Sequence, residues 1–349
     1  MSLTIKNSFD KKLTFDSLIE AHNRARVGKN TRMELLRFEV DLENNITNIF
    51  DSLKNGSYKL GKYRTFKIYE PKERIIKCLP YIDRIVQQWY IYEFIKPYIV
   101  PKFINTNCAC IDGKGTHYAG EMVCKYMRAM KRKHSSYFIL KLDIKKYFYN
   151  IDRDILFSIM KKYISDKKLL WLTKLFIYDE GYEGIPIGNY TSQYFANIYL
   201  NELDYYVKDR LKIKYYVRYM DDMVILCESK EEGKMIFQLI KSFLEERLGL
   251  ELNKKSRCYP SSLGVNFCGY RIYETHKLVR NSSKKMIRKK IKLWRKYYNK
   301  RVLDKKKMIL SFNSWVNRIR QANSYNLEMV MRERIRKIFS NNSDEIDKI

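Results

Sequence analysis

No run of eighteen or more apolar residues occurs anywhere in the 349-residue chain, so a membrane-spanning helix is not expected. The N-terminus, MSLTIKNSFDKKLTFDSL, lacks an apolar core behind a basic start, which argues against a secretory leader. Glycine (13) and proline (6) are scarce, and no Gly/Ser- or Pro-rich stretch interrupts the chain, so subdomains are expected to pack without a flexible tether. There is no fixed-period repeat. The seven cysteines are odd in number and scattered; Cys108 and Cys110 form C-x-C, but no second pair follows at zinc-site spacing. Free thiols in a reducing, cytoplasmic setting are expected. Acid is the most telling shortage: 39 Asp and Glu stand against 69 Lys and Arg, a formal net charge of +30. Solubility needs far less charge than that, and the excess opposes compaction. A polyanionic partner, nucleic acid, is the reading that explains it.

What is present is enough for a fold. Hydrophobic residues make up 45% and aromatics 14%, which excludes wholesale disorder, and the length allows two or three packed subdomains. Residues 13–60 read as helices, with Leu35, Phe38, Val40, Leu42, Ile46 and Ile49 near helical spacing and Asn55-Gly56 as the stop. Tyr63 to Ile76 reads as two short extended runs about a Pro71 turn. A helix is expected over Ile82–Ile99, a loop over Asn105–Ala119, a strand over Tyr137–Asp143 and a helix over Ile155–Phe176. Gly181–Gly188 reads as a loop feeding a helix with Phe195, Ala196, Tyr199, Leu200 and Leu203 on one face. Tyr215–Leu226 is an apolar, β-rich run broken by Asp221-Asp222, the pattern of a hairpin with acids at its tip. A helix over Glu231–Leu248 follows, then short strands near Leu252 and at Phe267–Ile272.

The last seventy residues differ in composition. Between Lys284 and Lys307 there are thirteen Lys or Arg and one acid, Asp304. Ile287, Ile291, Trp294 and Tyr298 recur at spacings of four, three and four, which predicts an amphipathic helix. Its other face would be densely positive: Lys284, Lys285, Arg288, Lys289, Lys292, Arg295 and Lys296. Charge runs are often only solvated faces. This one lacks the interspersed Glu that would support a helix, so a phosphate-backbone contact is the sharper reading.

Three acids carry the chemical signal. Asp143 ends the strand YFILKLD, and Asp221 and Asp222 sit in YMDD within VRYMDDMVIL. Asp143 and Asp221 are 221 − 143 = 78 positions apart, so only the fold can relate them. An acid embedded in an apolar strand is costly unless neutralised, and hard divalent cations such as Mg²⁺ prefer carboxylate oxygens. Two Mg²⁺ ions, with Mn²⁺ as the expected substitute, would support in-line nucleotidyl transfer. The plainer reading of Asp-Asp is a turn, where Asp is common.

The ordered series PKERIIKCLPYIDRIVQ, LKLDIKKYFYNID, GIPIGNYTSQYFANIYL, RYMDDMVIL, LELNKKS and GVNFCGYRI strongly resembles prokaryotic reverse transcriptases, over essentially Thr14 to Leu327. The resemblance implies an α+β right-hand polymerase. Fingers and palm would interleave over 1–275, with the palm mainly at 135–155 and 190–275, and a helical thumb would occupy 276–349. It implies Asp143 and Asp221 as principal metal ligands, with Asp222 the second acid of the hairpin. Lys72 and Arg74 match fingers positions that contact the incoming triphosphate; the alternative is a solvated basic hairpin. Lys255 matches a lysine near the leaving pyrophosphate, with Lys254 an adjacent competitor. Phe148 matches the bulky gate against a ribose 2′-OH, with Tyr147 an alternative. Gly184 and Gly188 would let the backbone approach the templating pair, and Ile187 and Gln193 would shape how tightly it is held.

Within that superfamily, retroviral and intron-encoded enzymes usually carry Gln-Gly and then Ser-Pro where this chain has Ile187-Gly188 and Ser192-Gln193. The latter pattern is similar to the reverse transcriptases of diversity-generating retroelements, whose cDNA is mutated at adenines. That subgroup implies a structured template RNA and a small basic accessory protein, with dNTPs as substrates and no membrane. A phage-defence enzyme using a cognate non-coding RNA is the alternative. An intron-encoded maturase is less expected, because the chain stops soon after the thumb and carries no endonuclease Cys/His cluster. Two broader rivals are an RNA-dependent RNA polymerase, which the bulky Phe148 opposes, and an idle nucleic-acid-binding module, which the intact acids oppose.

Overall fold

A computed structural model of the chain describes residues 4–69, 73–178, 183–300 and 302–339. Helices open it: α1 (Phe9–Lys12), α2 (Phe15–Arg26), α3 (Met33–Val40) and α4 (Leu42–Lys54). Thr14 starts α2 with a capping box, its hydroxyl accepting from Ser17 N while Ser17 Oγ accepts from Thr14 N. Leu35, Phe38, Ile46 and Ile49 are buried as their spacing predicts, but Val40, the last residue of α3, is exposed. A two-stranded antiparallel ribbon follows, β1 (Arg64–Ile68) and β2 (Arg74–Cys78). Next come α5 (Tyr81–Tyr90), a π-helical turn at Ile91–Ile95 and the short α6 (Lys96–Tyr98), so the helix expected over Ile82–Ile99 is present but interrupted.

The loop expected to Ala119 ends earlier. α7 (Thr116–Lys133) starts inside it and was not anticipated by the hydrophobic spacing. β3 (Phe138–Asp143) leads into α8 (Tyr147–Asn150), α9 (Arg153–Tyr163), α10 (Lys167–Ile177) and α11 (Tyr190–Tyr205). The single helix expected over Ile155–Phe176 is therefore two, and Asp166 is the cause. One of its oxygens caps α10 at Leu169 N (3.1 Å), while the other accepts from Ser8 N (2.7 Å) and Phe9 N (2.9 Å), fastening the N-terminal segment.

β4 (Tyr216–Tyr219) and β5 (Asp222–Cys227) form the expected hairpin, and α12 (Lys230–Leu248) the expected helix. Leu252 contributes only an isolated bridge to Ile144. β6 (Arg257–Pro260) completes a four-stranded sheet of order β4-β5-β3-β6, in which β6 runs antiparallel to β3. Phe267–Ile272 is not one strand: β7 (Val265–Phe267) and β8 (Tyr270–Ile272) meet at a Cys268-Gly269 turn, and β9 (Lys277–Val279) adds a third strand. Three helices end the described chain, α13 (Asn281–Asn299), α14 (Lys305–Ile319) and α15 (Tyr325–Phe339). The basic helix expected over Lys284–Lys307 thus stops at Asn299, and Asp304 caps a new one through Lys306 N.

The architecture is α+β with antiparallel sheets, as the sequence implied. The chain forms two compact units and crosses between them repeatedly. One takes the chain up to Asp112 with Leu142–Lys214 and Phe237–Lys255; the other takes Gly113–Lys141, Tyr215–Ile236 and the chain from Ser256 on. In the first, Tyr90 of α5 meets Phe176 of α10 and Phe195 of α11 edge-on, at 5.2 and 6.2 Å between ring centroids. In the second, Ile287, Ile291 and Trp294 of α13 share a core with Phe312, Trp315 and Ile335 of α14 and α15. Among the described residues, no helix is long and apolar enough to cross a membrane. None of the seven cysteines forms a disulfide.

Candidate active site

The YMDD segment is a tight hairpin turn in the second unit. Tyr219 pairs with Asp222, leaving Met220 and Asp221 as the two turn residues. Met220 takes φ +54°, a conformation that two-residue hairpins usually give to glycine. Arg218 supports it: its side chain is wholly buried and Nη1 donates to the Met220 carbonyl at 3.2 Å. Behind the turn, Met223 to Cys227 are all buried, so the acids emerge from the end of a rigid apolar strand. Asp222 has Lys141 of β3 as its counter-ion. Sequence reasoning named neither Arg218 nor Lys141, although each is a cation inside an otherwise apolar strand.

Asp143 ends β3 in the first unit and is half-buried. Its carbonyl accepts from Asn253 N at 2.7 Å, and Lys145 N donates to the Glu251 carbonyl at 3.0 Å. The LNKKS segment is thereby laid against the end of β3, and Lys254 and Lys255 follow directly. Both lysines are exposed, and the Lys255 amide donates to Asn253 Oδ1 at 3.1 Å. Nothing in this geometry separates the two. Carboxylates at a strand end and a turn are the hard oxygen donors that suit Mg²⁺ or Mn²⁺, and the chemistry of the set fits such an ion. Among the described residues, however, no three acid, His or Cys side chains are gathered closely enough to form a ready metal cage.

Gly181 of the glycine loop lies outside the described residues; the part from Glu183 to Gly188 belongs to the first unit. Ile185 N donates to the Phe148 carbonyl at 2.9 Å, and Arg153 Nε to the Gly184 carbonyl at 2.7 Å. At its other end, Lys77 N donates to the Ile187 carbonyl at 3.0 Å, extending the edge of β2. Gly184 has φ +71°, and a Cβ there would lie 2.2 Å from the Phe148 carbonyl oxygen. Gly188 has φ +132°, and its Cβ would lie 2.3 Å from the Lys77 carbonyl oxygen. Both glycines are thus required by backbone approach as well as by conformation. The loop brings Gly184 and Phe148 together, and sets Ile187 and Gly188 against the ribbon whose first β2 residue is the exposed Arg74. Lys72 lies outside the described residues. Gln193 is exposed at the start of α11, where its Oε1 accepts from Cys110 Sγ at 3.3 Å. Phe148 is half-buried beside Tyr147, while Tyr147 is buried and donates to the Ala196 carbonyl.

A cavity of about 800 Å³ opens beside this loop, still within the first unit. Lys29, Arg32, Lys62, Arg64 and Arg84 line it together with a single acid, Glu34. Gly188 and Gln193 form part of its wall. Burial, followed by the nearby charges of Arg84 and Arg32, pushes the Lys29 ammonium below its ordinary value. Like charges held this close favour an anionic ligand. Sequence reasoning missed this site because its cations are dispersed over residues 29–84 and form no run. A larger cleft of about 1120 Å³ between α9 and α12 carries charges of both signs and no such bias.

In the second unit, α13 turns Ile287, Ile291 and Trp294 inward. Lys285, Arg288, Lys289, Lys292, Arg295 and Lys296 are exposed, while Lys284 is half-buried. The amphipathic reading therefore holds over Asn281–Asn299.

With this geometry, the sequence match to the reverse transcriptase (RNA-dependent DNA polymerase) family over residues 62–272 identifies the class: the chain belongs to that family. It is similar to the group II intron-encoded protein LtrA of Lactococcus lactis subsp. cremoris, with 24% identity over 309 residues covering 66% of this chain and 50% of that protein. It is also similar to a putative COX1/OXI3 intron 2 protein of Saccharomyces cerevisiae, with 26% identity over 202 residues, 39% of this chain and 24% of that one. The chain therefore spans half the length of LtrA and less of the yeast protein. Among solved structures it is similar to apo telomerase from Candida tropicalis (12% identity, TM-score 0.47, 66% of this chain and 58% of that one). It is also similar to telomerase from Candida albicans in complex with a fragment of telomeric RNA (11% identity, TM-score 0.44, 82% and 63%).

Proposed function

We propose that this protein is an RNA-directed DNA polymerase that copies a structured RNA into cDNA. The observation that carries the reading is the pair of acids Asp221 and Asp222, at the turn and at the start of β5, held at the end of buried strands in a chain of the reverse transcriptase family. Asp143, Asp221 and Asp222 would hold two Mg²⁺ ions. When bound, the metal supplies charge neutralisation at the attacking 3′-hydroxyl and the departing pyrophosphate. The remaining work falls to the chain. Arg74 and Lys72 meet the triphosphate, and Lys255 or Lys254 stands at the pyrophosphate. Phe148, fixed by the Gly184–Ile185 contact, denies room to a 2′-hydroxyl. Gly188 and the basic cavity beside it admit template backbone. The three C-terminal helices act as a thumb, with α13 on the duplex.

The finer reading is mutagenic copying in a diversity-generating retroelement, with a cognate RNA and a small basic accessory protein. Its support is Ile187-Gly188 followed by Ser192-Gln193, together with the way Ile187 is pinned to Lys77. Similarity to the intron-encoded LtrA keeps a second reading in play, another prokaryotic reverse transcriptase serving its own non-coding RNA, phage defence included. The test is deep sequencing of cDNA made from one defined RNA, with cognate RNA and partner supplied. Errors concentrated opposite template adenines, and altered in frequency by substitution of Ile187, are the expected result; rare errors spread evenly over the four bases would favour the second reading.

A further inference from the structure

Lys141 lies two residues before Asp143, so both side chains leave β3 on the same face. A lysine in the interior of a sheet is expensive to bury unless its charge is met. Here the side chain is only 17% exposed, and the groups that meet it include three in the second unit. The ammonium pairs with the Asp222 carboxylate, donates to the Met223 carbonyl at 3.4 Å, and stands 5.3 Å from the centroid of the Phe267 ring. Asp222 is itself only 32% exposed, and Lys141 is the cation beside its Oδ1. A typical surface pair of this chain, Lys67 with Glu73, is more than half exposed on both sides. The Lys141–Asp222 pair is therefore more sheltered from solvent than an ordinary surface pair.

We propose that Lys141 is a positioning residue of the active site: a resident counter-ion that holds Asp222 in the metal-free protein and competes with the divalent cation for it. The inference rests on reading Asp222 as an acid of the metal site. Its physical basis is simple. Without metal, adjacent carboxylates at Asp221 and Asp222 repel each other, and one fixed ammonium relieves this while keeping the turn in place. When a divalent ion arrives, the same ammonium becomes a like charge close by and weakens binding. Lys141 thus lends the empty site stability and lowers the affinity of the filled one.

The test uses the full chain and has two arms. In chelator, Lys141→Met and Asp222→Asn should each lower the unfolding midpoint by a few degrees. The double variant should lose less than the sum, because neither charge is then stranded. Independently, Mn²⁺ titration followed by electron paramagnetic resonance should show Lys141→Met binding the ion about tenfold or more tightly than wild type, with Lys141→Arg restoring the weaker binding. Strict additivity in chelator would overturn the ion pair. Equal Mn²⁺ affinity in wild type and Lys141→Met would overturn the competition while leaving the metal reading intact. No Mn²⁺ on either protein would overturn the metal reading, and the competition with it. Should Lys141→Met fail to fold while the double variant folds, the stranded Asp222 is the cause and the pair is supported.

Discussion

Phe148 is proposed to set substrate choice through one side chain. Its carbonyl is tied to Ile185 N, and a Cβ on Gly184 would strike it, so its backbone is held in place. Phe148→Ala should lower the dNTP over rNTP ratio of kcat/KM by about tenfold or more, mainly through better rNTP use. An unchanged ratio would move the gate elsewhere; Tyr147, buried and bonded to the Ala196 carbonyl, would then need its own substitution. His22 affects stability instead. It is buried between Phe38 and Tyr81, and burial pushes its pKa below 6.5 despite the opposing pull of Glu39; the Arg26 charge adds to the lowering. The folded protein therefore prefers neutral imidazole. As pH falls below about 6.5, the unfolded chain takes up a proton that His22 refuses in the fold, and stability declines until the depressed folded value is passed. The unfolding midpoint should fall from about pH 7.5 to pH 5, and His22→Gln should flatten that slope. An identical slope in the variant would place the titration elsewhere.

At the scale of elements, α13 separates a polyanion contact from a solvated face. Lys285, Arg288, Lys292 and Arg295 share one exposed stripe. Replacing all four with Gln should weaken binding similarly for unrelated templates, and should flatten the dependence of log affinity on log salt by about 1 for each residue that meets a phosphate. A native slope would make the stripe merely solvated. This helix was legible from its apolar spacing, as was the YMDD hairpin from acids interrupting an apolar run. Other elements were not, for identifiable reasons. The break between α9 and α10 depends on Asp166 bonding to Ser8 and Phe9, more than 150 residues away. α7 opens beside Gly115 in a segment whose Gly and Asp signal turns, which hid the helix start. The Cys268-Gly269 turn was masked by apolar neighbours that read as one continuous strand. Arg218 and Lys141 were in plain view, but their roles follow from the Met220 carbonyl and from Asp222, and those partners come from the hairpin turn and from strand order.

For the whole molecule, the excess of positive charge is distributed among separate places. In the first unit, a cavity lined by five cations adjoins the glycine loop; in the second, a basic stripe runs along α13. Each is a densely positive surface, and the acids of the chain are correspondingly few. The three aspartates proposed as metal ligands stand out against that background, and the strand β3 that carries Asp143 also carries Lys141, the counter-ion of Asp222. These acids are proposed to make a metal-dependent polymerase. The most direct test is extension of a DNA primer on RNA by the purified protein with Mg²⁺ and dNTPs, its cognate RNA and partner included. Extension by the wild type, abolished by chelator and by Asp221→Ala, is the expected result. Normal extension by the Asp221→Ala protein would contradict the account.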